Sequence, residues 1–178
     1  MSQRKACCVW FTGLSGAGKT TLANALNAKL LDAGTQTCLL DGDALRKGLN
    51  SDLGFSEQDR RENIRRVAEV SKLMVESGTI VIVALISPFE QERETARTRI
   101  GAKRFIEVFV DTPIEICEER DIKGLYRRAR AGEIAEMTGI SSPYEIPKTP
   151  DFIAGSKKSI EDLAVQLLTL VSDRLSEL

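Results

Sequence analysis

The chain has 178 residues, 42% hydrophobic and 29% charged, enough to bury one core and ordinary for a globular domain. Its 25 Lys+Arg and 26 Asp+Glu leave a formal charge of −1. That excludes a general nucleic-acid binder or an acidic-membrane binder, which need a basic excess. There is no His, which excludes His general bases, His–Asp triads and His-ligated zinc.

Arg4 and Lys5 precede a short apolar run, residues 6–11 (ACCVWF), that is too short for a signal sequence and reads as a first strand. The four cysteines, Cys7, Cys8, Cys38 and Cys117, form no CxxC pair and read as reduced, buried thiols. No segment approaches the ~18 apolar residues of a membrane span. The expectation is a cytoplasmic protein without membrane or nucleic-acid partners.

Further strands are predicted at 37–40, 80–85 (IVIVAL) and 105–110 (FIEVFV). Helices are predicted over 18–33, 56–77, 88–100, 112–120 and 159–175. The second opens on Ser56-x-x-Asp59, an N-cap signature. Alternating strands and helices, with strands almost continuously apolar, give an α/β fold: a three-layer P-loop NTPase-type arrangement, a mostly parallel sheet flanked by helices. Residues 121–150 break the rhythm. They carry Lys123, Arg127, Arg128 and Arg130 with three glycines and three prolines, and read as a basic lid on a single domain spanning 1–178.

The first strand runs into Gly13-Leu14-Ser15-Gly16-Ala17-Gly18-Lys19-Thr20, followed by Thr21. This is GxxxxGK[ST] between a strand and a helix, the context the motif requires. Its backbone N–H groups can approach phosphate oxygens, and the helix start adds a positive dipole end. Lys19 reaches the β/γ-phosphates of a nucleoside triphosphate and Thr20 supplies a hydroxyl for Mg²⁺. The second strand ends in Asp41-Gly42-Asp43, two carboxylates at the ligand-facing edge of a parallel sheet. One can bind Mg²⁺ or take a proton from an acceptor hydroxyl while the other bonds to ribose or backbone. Arg46, Arg60 and Asn63 can line a pocket for an anionic acceptor, since guanidinium groups hold phosphate or sulfate oxygens in pairs. Arg61 and Arg65 form an adjacent row, Arg66 completes the cluster, and a solvated helix face would also explain some of these arginines. No NKxD motif is present, so a GTPase does not fit.

The stretches GLSGAGKTT (13–21), LDGDALRKGLNSDLGFSEQDRRENIRR (40–66), ISPF (86–89), EVFVDTP (107–113), CEERDIKGLYRRARAGEI (117–134) and TGISSPYEIP (138–147) resemble the adenylylsulfate kinase (APS kinase) family in order and spacing. The resemblance implies transfer of the ATP γ-phosphoryl to the 3′-hydroxyl of adenosine 5′-phosphosulfate (APS), giving PAPS and ADP in sulfate activation. It implies that Asp43 coordinates Mg²⁺ and acts on the hydroxyl, with Asp41 beside it. Arg46, Arg60 and Asn63 would hold the phosphosulfate and ribose, and Phe55 would stack on the adenine. Ile86 and Ser87 would contact the substrate, and Lys123 would reach the transferring phosphates. The family has been described with a phosphoserine at the position of Ser87; with no His to activate that hydroxyl, direct transfer is favoured. One position departs from the family: Met137 stands where a second Phe usually completes a clamp on the adenine, which predicts weaker APS binding. Relatives of this kind associate as homodimers and occur with ATP sulfurylase, so both are expected partners. The alternatives are another small-molecule P-loop kinase, or a nucleotide-binding regulatory module of a sulfurylase.

Overall fold

The computed structural model describes residues 5–178, so Arg4 lies outside the described residues. Strand β1 (Cys8–Thr12) is buried at every position, as is β3 (Ile80–Ala84), and β4 (Phe105–Asp111) is buried up to its last residue. Strand β2 (Thr37–Asp41) is half-buried and β5 (Phe152–Gly155) lies at the opposite edge. All neighbours pair in parallel in the order β2-β3-β1-β4-β5. Residues apolar on both faces form these strands because helices cover the sheet from both sides.

The helices are α1 (Lys19–Asp32), α2 (Gly42–Leu45), α3 (Glu57–Glu76), α4 (Glu90–Ile100), α5 (Ile114–Arg120), α6 (Leu125–Arg130) and α7 (Ile160–Glu177). Helix α1 packs on α7, and α3 on α4, forming the outer layers. The Ser56 hydroxyl accepts from the Asp59 amide at 3.1 Å, and Ser159 caps α7 through Asp162 in the same way. Among the described residues, no helix is long and apolar enough to cross a membrane.

The fold class agrees with expectation, and three elements were not anticipated. Helix α2 is a single turn inside the Asp41–Arg46 stretch, capped by Asp41, whose Oδ1 accepts from the Asp43 amide. Helix α6 lies within the lid, with Tyr126 buried beneath it. Strand β5 is four residues long, and only Ala154 is buried, so its local pattern is weak.

Tertiary charge pairing sets β5. The Asp151 carboxylate just before it accepts from the Glu107 amide at 2.8 Å, Arg97 at 3.0 Å and Arg174 at 2.9 Å. Glu107 interrupts the apolar run of β4 and is 4% exposed. A buried carboxylate needs partners, and it accepts from Arg93 Nε at 2.8 Å.

Candidate active site

The phosphate-binding loop leaves β1 at the centre of the sheet. From there the chain runs to β2 on one side and later crosses to β4 on the other. The loop is pressed against the end of β4 and the middle of α5. A Cβ on Gly13 would stand 2.8 Å from the Val110 carbonyl oxygen, and one on Gly16 would stand 3.2 Å from that of Cys117. Both glycines have positive φ, 149° and 74°, so a side chain there is excluded by space and by backbone conformation. Thr112 fixes the far end of the loop by donating to the Ala17 carbonyl at 2.8 Å.

Lys19 is 8% exposed and donates to the carbonyls of Gly13 at 3.0 Å and Leu14 at 2.7 Å. Burial, with a smaller effect from Lys123, lowers its pKa to about 8, against the pull of Cys117, Asp41 and Asp43. The Thr20 hydroxyl donates to Asp41 Oδ2 at 2.7 Å, which joins the phosphate loop to the end of β2. Asp43 forms an ion pair with Lys123 of the lid, and both side chains are more than half exposed.

The lid lies on the phosphate loop through Tyr126, whose OH donates to the Ser15 carbonyl at 2.8 Å, and Arg120 at the end of α5, just before the lid, donates to the Gly16 carbonyl at 3.2 Å. Tyr126 could have been suspected from its place as the one aromatic residue of the basic stretch 121–134, but no periodicity marks it.

The arginine cluster divides. Arg60 and Asn63 are buried on the inner face of α3. Arg61 pairs with Glu57 and Glu92, Arg65 with Glu62, and Arg66 with Glu62 and Asp52. The outer row is therefore the ion-paired face of the helix. Arg46 donates to the carbonyls of Leu53 and Gly54 and lies 4.2 Å from the centroid of the Phe55 ring. Arg60 Nε donates to the Phe55 carbonyl and Nη2 to the Glu136 carbonyl, at 2.8 and 2.6 Å. One guanidinium thus ties the Phe55 loop to the Met137 segment. Asn63 Oδ1 accepts from the Asn50 amide at 2.8 Å.

Two expected ligand contacts look different in three dimensions. Phe55 is 58% exposed, but Met137 is only 6% exposed and packs in the core beneath the lid. The Met137 segment is fixed by a bond from its amide to Ser141 Oγ. Ser87 is 3% exposed, and its hydroxyl accepts from the Trp10 indole at 3.1 Å. This directs the Ser87 hydroxyl inward rather than toward a substrate. Ile86 is half-buried at the open end of β3.

A phosphate loop on the central strand, carboxylates across from it and an arginine-bearing lid over it define a P-loop phosphotransferase. The family model described as adenylylsulphate kinase matches residues 5–154. The chain is 56% identical over 174 residues to the adenylyl-sulfate kinase of Vibrio vulnificus, covering 96% of this chain and 84% of that protein. It matches the APS kinase of Mycobacterium tuberculosis, solved in complex with AMPPNP and APS, with 48% identity and a TM-score of 0.91 over 95% of this chain and 99% of that one. A hexameric APS kinase from Thiobacillus denitrificans matches with 32% identity and a TM-score of 0.72, over 96% of this chain and 29% of that one. The chain belongs to the adenylylsulfate kinase family, and its activity is phosphoryl transfer from ATP to APS.

Proposed function

We propose that the γ-phosphoryl of ATP passes directly to the 3′-hydroxyl of APS, giving PAPS and ADP, with no phosphoenzyme. The observation that carries this reading is the Thr20–Asp41 hydrogen bond together with the Asp43–Lys123 ion pair. They bring the phosphate loop, the paired carboxylates and the lid to one point. On binding ATP, Lys19 exchanges the carbonyls of Gly13 and Leu14 for phosphate oxygens, and the loop amides of residues 13–21 hold the triphosphate. Asp43 takes the proton of the attacking hydroxyl. Lys123 moves from Asp43 to the migrating phosphoryl, and the lid excludes water.

The oxygen-only donor set of Thr20, Asp41 and Asp43 suits Mg²⁺. Among the described residues no three His, Cys, Asp or Glu side chains form a metal cage, and Mg²⁺ held largely by substrate phosphates needs only one or two carboxylates. Thr20 and Asp43 would hold it, with Asp41 orienting Thr20. When bound, Mg²⁺ neutralises the charge of the transferring phosphates.

On the acceptor side, Arg46, Arg60 and Asn63 surround the phosphosulfate and ribose. Phe55 offers a ring face to the adenine, opposite the face covered by Arg46. Ile86 and Ser87 bound the site through their backbone, and Met137 supports it from below. The enzyme works as a homodimer, and an ATP sulfurylase supplies APS. The unpaired thiols of Cys7, Cys8, Cys38 and Cys117 support a reducing, cytoplasmic setting.

The experiment is incubation with MgATP and APS, with PAPS and ADP read by mass. No PAPS, despite ATP binding, would reject the reading. Light scattering giving a monomer at working concentration would remove the homodimer.

A further inference from the structure

We propose that Arg93, which touches no reacting atom, is a positioning residue that locks the acceptor-side loop at residues 86–88 to the lid's return segment at 144–146. The proposal rests on the acceptor site described above.

Arg93 is 1% exposed, and its three nitrogens bond to three different parts of the chain. Nε donates to Glu107 Oε1 on β4 at 2.8 Å. Nη1 donates to the Ser87 carbonyl at 2.8 Å, and Nη2 to the Glu145 carbonyl at 2.8 Å. A planar guanidinium can hold two carbonyls and a carboxylate at fixed angles, which a lysine ammonium cannot reproduce.

The Ser87 carbonyl requires such a hold. Ser87 has φ of 39°, in the left-handed region; the other non-glycine at positive φ among the described residues, Asp121, reaches only 18°. A non-glycine residue in that region persists only where its surroundings over-determine it. Here Trp10 holds the hydroxyl and Arg93 holds the carbonyl. The Thr12 hydroxyl lies 2.7 Å from the Ile86 carbonyl and 3.3 Å from the Ser87 carbonyl; its one proton goes to the nearer, and Tyr144 OH, 2.9 Å away, then donates to Thr12. Glu145 adds two links to the start of α4: its amide donates to the Pro88 carbonyl at 2.8 Å, and its carboxylate accepts from the Glu90 amide at 2.7 Å.

Thr12 directly precedes Gly13 of the phosphate loop. The junction therefore joins the base of that loop, the strained acceptor loop and the end of the lid. Arg93 is the charged peg at its centre. Its removal relaxes the strained loop and shifts the acceptor substrate relative to ATP, and displacements near 1 Å are enough to cost rate.

The test measures KM for APS, KM for ATP, kcat and the melting temperature in the full chain. Arg93→Lys keeps the charge opposite Glu107 but cannot bridge the two carbonyls. The expected result is a rise of at least ~10-fold in KM for APS, with KM for ATP within ~2-fold. Adding Ser87→Gly, which tolerates the positive φ, is expected to recover part of that loss. If Arg93→Lys does not fold, the paired replacement Arg93→Met with Glu107→Gln removes both buried charges and is read in the same way.

Unchanged kinetics would overturn the proposal. So would equal rises in both KM values that track the melting temperature, or no recovery with Ser87→Gly. Absence of PAPS from the unsubstituted protein would instead reject the acceptor-site reading itself.

Discussion

Lys19 sets a pH limit at the residue scale. Burial depresses its pKa to about 8, so below that value the side chain is charged and fit to hold phosphate, and above it the free enzyme loses that charge. The expected outcome is an alkaline fall in kcat/KM for ATP through an apparent pKa near 8, and a fall in kcat at higher pH because bound phosphates restore the proton. A pH–rate profile flat to pH 9.5 (about 1.5 above that value) would contradict it. Ser87 makes a second prediction. Its hydroxyl bonds to the Trp10 indole inside the fold, so Ser87→Ala is expected to lose about 1–3 kcal/mol of stability through the unpaired indole N–H. It is expected to keep turnover within about tenfold. Loss of turnover, with a trapped phosphoenzyme in the parent protein, would favour a phosphoserine. At Met137, a replacement Phe gains about 1–3 kcal/mol if it stacks on adenine. However, Met137 is 6% exposed in the core, so a ring placed there packs inside the fold rather than on the base, and overpacking costs about 1–3 kcal/mol of stability instead. Met137→Phe is therefore expected to leave APS affinity nearly unchanged, as calorimetric titration would show.

The start of α3 couples stability to substrate binding at the element scale. Ser56 caps the helix, and the adjoining Phe55 carbonyl is held by Arg60. Ser56→Ala is expected to cost about 1 kcal/mol and to raise KM for APS more than KM for ATP, because the frayed turn carries Phe55 and Arg60. Thermal melting with initial rates checks both parts. The sequence made this helix legible through Ser56-x-x-Asp59 and a regular apolar stripe. Helical spacing also set the inner Arg60 apart from the row of Arg61 and Arg65, but it did not give the ion-pair partners of the outer arginines, because those depend on where Glu92 of α4 and Asp52 come to lie. Helix α6 was hidden for a related reason. Its one buried anchor, Tyr126, is held by the phosphate loop rather than by a repeating face of its own.

At the scale of the whole molecule, Asp151 fastens β5, β4, α4 and α7 together. Burial pushes its pKa up, but the Glu107 amide and the Arg174 and Arg97 guanidiniums outweigh this and hold it below the usual carboxylate value. A carboxylate whose pKa is lowered by folding stabilises the fold above its unfolded pKa, and that contribution is lost as pH falls through the folded one. Asp151→Asn is expected to cost about 1.5–3 kcal/mol at neutral pH and to flatten the acid side of the melting-temperature profile. An unchanged acid limb would show that the contribution lies elsewhere. The same centre explains why β5 escaped a reading by pattern: its four residues are placed by two guanidiniums and a backbone amide from three other elements.

What the sequence determined by itself was everything encoded by neighbours in the chain. The phosphate loop, the paired carboxylates, the buried parallel strands and the family resemblance all rest on local spacing and residue type. Tertiary structure alone decided the partners: Asp41 on Thr20, Lys123 on Asp43, the inward turn of Ser87, the burial of Met137 and the bridging by Arg93. A hydrogen bond or ion pair between residues separated by scores of positions depends on how the layers pack, and no local period records that geometry.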